Sequence, residues 1–118
     1  MALSVELIDY VTITTQNGVT DTLATQPLDN CHTIVIYNTD ATVANGCLVG
    51  VVPDATALTS LNSATIPGAG ALTLRIGTAM YRPNGSFDNG NRKLRVEGIG
   101  STPIVSFQYI NSTVDTAP

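Results

Sequence analysis

The chain has 118 residues, enough to bury one core without disulfide or metal staples, and an apolar content of 43% with only 5% aromatics and no Trp makes that core one of Val, Ile, Leu and Ala. A formal net charge of -4 with only five Lys and Arg argues against the basic stripe and interleaved aromatics of a nucleic-acid binder. No stretch approaches the ~18 consecutive apolar residues of a membrane helix, and the N-terminus lacks the basic flank and apolar core of an export signal, so no membrane partner is expected.

Seventeen threonines, ten glycines and six prolines weight the chain toward strands and turns, because β-branched side chains lose rotamer freedom in a helix. The expected fold is all-β: one antiparallel β-sandwich, jelly-roll-like, with flexible or extended termini. It forms a single domain over 1–118, with an N-terminal strand and extended connection over 1–30, a sandwich body over 31–110 and a flexible tail over 111–118. Charge is unevenly spread along it. Residues 1–74 carry six acids and no base, for -6, whereas residues 75–118 hold all five bases and three acids, for +2.

In chain order, Val5, Leu7, Val11 and Ile13 mark a first strand interrupted near Asp9, which predicts an irregularity there. Asn17-Gly18 signals a turn. The polar segment from Val19 to Asp29 has little periodicity, and Pro27 excludes it from a sheet centre, so it reads as an extended arm or long connection. Thr33-Ile34-Val35-Ile36-Tyr37 and Cys47-Leu48-Val49-Gly50-Val51-Val52 flank a polar loop and read as an antiparallel hairpin, and apolar residues on both faces of its first strand predict that it is covered on both sides. The loop from Asn38 to Gly46, which contains Asp40 and Asn45, offers exposed contacts.

That hairpin would place Cys31 and Cys47 at opposite ends. Seven strand residues span about 23 Å, well beyond the ~7 Å limit between bridged Cα atoms, so two free thiols and a reducing compartment are expected. Pro53 to Ala64 reads as a loop over the end of the sandwich. Pro67-Gly68-Ala69-Gly70 makes a tight corner that feeds a strand in which Leu72, Leu74 and Ile76 point inward and Arg75 outward. Turn signals follow at Tyr81-Arg82-Pro83-Asn84-Gly85 and Asp88-Asn89-Gly90-Asn91. Lys93, Arg95 and Glu97 then share the outer face of an edge strand whose Leu94 and Val96 point inward, and Ile104 to Ile110 forms the final strand.

The residues that carry chemistry are sparse. His32 is the only histidine, and its neighbour Cys31 points to the opposite face of an extended chain, so the two make no catalytic dyad. Cys31, His32 and Cys47 lack a fourth zinc ligand and any close Cys-x-x-Cys spacing. Asp88-Asn89-Gly90-Asn91 lacks the repeated acids and distal Glu of a calcium loop. Gly68-Ala69-Gly70 precedes a strand, not the helix that a phosphate cradle needs. No catalytic residue, metal or cofactor is expected, and the protein is read as a non-enzyme. Asn84-Gly85-Ser86 and Asn111-Ser112-Thr113 fit the glycosylation pattern, which matters only in a secreted chain.

The run Ile34-Val35-Ile36-Tyr37-Asn38-Thr39-Asp40-Ala41, then Val49-Gly50-Val51, then Ile66-Pro67-Gly68-Ala69-Gly70-Ala71-Leu72-Thr73-Leu74, resembles small structural proteins of tailed-phage virions, over roughly residues 33–77. The resemblance implies a decoration or cement protein, an auxiliary capsid protein that binds the outer surface of an icosahedral head and stabilises it, as trimers or clusters at the junctions between shell subunits. Its partners would be the major capsid protein and copies of itself, with no nucleic acid. It would be made in the host cytoplasm and located on the virion. Candidate docking residues are Arg75, Arg82, Arg92, Lys93, Arg95, Asp40 and Asn45. The alternative is a carbohydrate- or receptor-binding sandwich from a tail, fibre or lectin-like protein, which needs exposed aromatics beside polar groups.

Overall fold

A computed structural model describes residues 2–27, 31–53, 55–75 and 92–115, and no helix occurs among them. Eight strands form: β1 (Ala2–Thr14), β2 (Asp21–Thr22), β3 (Thr33–Asn38), β4 (Gly46–Pro53), β5 (Ala64–Ile66), β6 (Ala71–Arg75), β7 (Arg92–Ile99) and β8 (Ile104–Asp115). They make two antiparallel four-stranded sheets, ordered β1-β8-β3-β6 and β2-β7-β4-β5. Two such sheets face to face, each mixing early and late strands, are the jelly-roll form of the β-sandwich.

Alternation builds the layers. Ile34, Ile36, Val105, Phe107 and Tyr109 from the first sheet meet Cys47, Val49, Ile66, Leu94 and Val96 from the second, all nearly or completely buried, in one core. Tyr109 is fully buried with its hydroxyl donating to the Thr25 carbonyl at 2.6 Å, which satisfies its one polar atom and fastens the segment after β2 to the core. The expected irregularity in β1 is a register shift between Leu7 and Asp9. It leaves Leu7 and Tyr10 exposed while Ile8, Val11 and Ile13 pack against the core.

The expected hairpin is not formed. β3 pairs with β8 and β6, whereas β4 pairs with β7 and β5, so the segment 39–45 carries the chain from one sheet to the other. Both edges of β3 are taken by distant strands, and the fully buried Asn38 fixes the crossing: its amide donates to the carbonyls of Asn45 (2.9 Å) and Ile66 (3.2 Å). β3 is also not covered on both sides, since Ile34, Ile36 and Asn38 are buried while Tyr37 is 44% exposed. β4 does have two covered faces. Its outer residues Leu48 and Val52 form a second small cluster with Leu58, so the segment 55–63 lies over the face of the second sheet and not over the end of the sandwich.

Two further expectations change. β7 lies between β2 and β4 and is therefore an inner strand. Residues 111–115 continue β8 instead of forming a flexible tail: they pair with the first residues of β1, from Glu6 opposite Asn111 to Ala2 opposite Asp115. Because β8 meets β3 only up to Ile110, this two-stranded ribbon runs on past the end of β3. The turn signals between Tyr81 and Asn91, and Ile76, lie outside the described residues.

Candidate docking surface

The register sorts the candidate residues to the two ends of the sandwich. Arg75 lies opposite Thr33, and Thr33 opposite Ile110, at the end from which the ribbon continues. Arg92 and Lys93 lie opposite Pro53 and Val52 at the same end of the second sheet. Asp40 and Asn45 lie at the other end, beside the Pro67–Gly70 corner. Arg75 and Arg92 are exposed, with Arg92 Nη1 donating to the Val51 carbonyl at 3.4 Å, and Lys93 is half-buried. Arg82 falls outside the described residues.

Arg95 is not on the surface; only 9% of it is exposed. Its guanidinium donates to Thr22 Oγ1 (2.9 Å), to the Thr20 carbonyl (3.3 Å) and to the Thr56 carbonyl. Those oxygens belong to β2, the residue before it and the segment covering the second sheet, so the side chain ties three pieces of chain to β7 and is removed from the docking set. Thr20 extends the tie, its hydroxyl donating to Glu97 Oε1 (2.6 Å) and accepting from the Leu58 amide (3.1 Å).

Asp40 and Asn45 also spend their polar atoms internally. The Asp40 carboxylate accepts from the Thr42 amide (2.8 Å) and from Asn45 Nδ2 (3.1 Å), while Asn38 Oδ1 accepts from the Asp40 amide (3.0 Å). Both side chains are only partly exposed and shape the crossing loop. Of the seven candidates, Arg75, Arg92 and Lys93 are thus brought together at one end with accessible or partly accessible charge.

Neither thiol is set up for chemistry. Cys31 and Cys47 form no disulfide and are fully buried. Burial pushes the Cys47 thiol up to about 11 and raises Cys31 as well, with backbone hydrogen bonds opposing the latter rise. The thiolate, the nucleophilic form, is therefore scarce near neutral pH. Although the hairpin is not formed, the two cysteines keep to opposite ends of the sandwich, Cys31 just before β3 and Cys47 at the start of β4, next to the crossing that follows β3. His32 is exposed while Cys31 is buried, as alternation requires. Among the described residues no three His, Cys, Asp or Glu side chains gather to hold a metal. A cavity of about 370 Å³ opens between β6 and the β4–β5 edge, lined by Val49, Val51, Leu72, Leu74 and small polar residues, with no ionisable group on its wall.

The docking set drawn from charge misses an apolar one. Leu7 (54% exposed), Tyr10 (67%), Tyr37 (44%) and Ile104 (45%) lie on the outer face of the first sheet. The signal for it is the register after the β1 irregularity, where Tyr10, Thr12 and Thr14 alternate with Val11 and Ile13, but the strand pairing that unites these residues is invisible in a linear chain. No protein-family model matches the chain, and a search of curated proteins also finds no match.

Proposed function

We propose that this protein is a non-enzymatic structural protein of a virion, a decoration or cement protein that binds the outside of an icosahedral head. What carries the reading is how the jelly roll uses its side chains. The buried Arg95, Asn38 and Tyr109 bond other groups of the chain, its thiols are sealed in the core, and what it offers to the outside is a broad sheet face and a base-bearing end. Jelly rolls are a recurrent fold of viral capsid and lectin domains, a link of fold and not of site. The motif resemblance over residues 33–77 selects the virion among these.

On this reading Arg75, Arg92 and Lys93 steer the protein to acidic patches on shell subunits and set register. Many weak contacts repeated over a symmetric shell then add up to firm attachment. The test mixes purified protein with heads lacking it and measures occupancy and resistance of the heads to heat. Saturable binding that weakens with salt and with paired Arg75→Glu and Arg92→Glu changes is expected. Absence of binding at micromolar concentration overturns the reading.

A further inference from the structure

The two sheets present unlike outer faces. The second sheet is covered by the segment 55–63 through Leu58, whereas no described segment covers the first. Across the first sheet, β1, β8, β3 and β6 set Leu7 beside Ile110, Gln108 between Tyr10 and Val35, and Tyr37 between Ser106 and Ala71. None of these outward positions is buried, and four of the eight exposed large apolar residues in the described chain lie here. An apolar group of this kind rimmed by neutral polar residues marks a contact surface.

We infer that this face is a two-fold interface on which a second copy of the chain docks, sheet against sheet. Charge argues for a copy. In a two-fold contact the same patch meets itself, residue i against j and j against i, so a face of one charge sign repels itself. Although the chain carries -4 overall, this face holds no acid among its described positions and a single base, Arg75, at its corner. It is a neutral surface on an acidic protein, and its best electrostatic match is its own kind.

Area agrees. Four strands about 4.8 Å apart with exposed rows about 7 Å apart make a plateau of roughly 450 Å². Two such plateaus cover about 900 Å², the size of a weak, concentration-dependent contact. Tyr10 and Tyr37 supply the large, stiff rings that concentrate binding at interface centres. This interface stands apart from head binding, since it needs only the purified chain.

Sedimentation velocity of the purified full chain over a concentration series tests the inference. A concentration-dependent dimer of twice 12.3 kDa is expected. Tyr10→Glu with Tyr37→Glu, both at exposed positions, should weaken dimerisation by at least about tenfold without lowering the thermal midpoint of the monomer. Leu61→Glu, at a 96% exposed position on the segment covering the other sheet, should leave dimerisation unchanged. A monomer at every concentration overturns the proposal, as does a dimer indifferent to the tyrosine changes. So does a monomer whose glycan-array signal disappears in Tyr10→Ala, which would assign the face to carbohydrate. A dimer that ignores heads retains this interface and refutes the capsid reading; a monomer that binds heads does the reverse.

Discussion

Arg95 holds a charge almost out of water, and oxygens of Thr20, Thr22 and Thr56 replace its hydration. Removing the guanidinium leaves two backbone carbonyls short of a donor, so Arg95→Met should cost about 2–4 kcal/mol in urea unfolding. Arg75→Met, at an exposed edge position, should stay within about 0.5 kcal/mol. Tyr109 offers a finer comparison: Tyr109→Phe keeps the ring and deletes only the bond to the Thr25 carbonyl, with an expected loss of about 1–2 kcal/mol in the same measurement.

At the scale of elements, the decisive features are two of the crossings that carry the chain between sheets at one end. The segment 39–45 and the Pro67–Gly70 corner lock together there, with the Gly68 amide donating to the Val43 carbonyl (3.1 Å) and the Ala69 amide to the Asn38 carbonyl (3.1 Å). A Cβ on Gly68 would sit 1.9 Å from the Thr42 carbonyl oxygen, so Gly68→Ala must push one crossing off the other. A loss of at least about 2 kcal/mol is expected. The next residue behaves oppositely. Ala69 has φ 61, a left-handed conformation that costs a Cβ-bearing residue ~1–2 kcal/mol, so Ala69→Gly should raise stability by about 0.5 kcal/mol after the extra unfolded-state entropy of glycine is subtracted. Thermal unfolding of the two variants side by side reads both signs.

For the whole molecule, the sealed core sets an alkaline limit. Burial raises Cys47 from 9.0 to about 11 and also raises Cys31 and Tyr109, the last with added repulsion from Cys31 and Asp9. Raised folded-state values mean that the native state keeps protons which the unfolded chain releases, so stability is full below about pH 9 and falls as pH climbs toward 11. Urea midpoints measured from pH 7 to pH 11 should decline above pH 9, and a Cys47→Ala variant should decline less steeply. A thiol reagent at pH 7 should find both cysteines only once the protein unfolds. β1 pairs with β8 from Ala2 opposite Asp115 to Thr14 opposite Ile104, so the sandwich closes through contacts far apart in sequence, which predicts slow folding for its size.

Strand content, the irregularity near Asp9, the Asn17-Gly18 turn and the tight corner at residues 67–70 were legible in the linear chain because each depends on residues within a few positions of one another. Alternation alone likewise placed Leu94 and Val96 inward and set Cys31 and His32 on opposite faces. The tertiary structure decided which strands pair. Adjacency favoured joining β3 to β4, but β3 instead takes β8 and β6, sending its neighbour to the other sheet, and the same choice makes β7 an inner strand and buries Arg95. It also drew Leu7, Tyr10, Tyr37 and Ile104 onto one face and Arg75, Arg92 and Lys93 to one end. Side-chain period along a strand is a local property; the neighbour across the strand is chosen by burial summed over the whole chain.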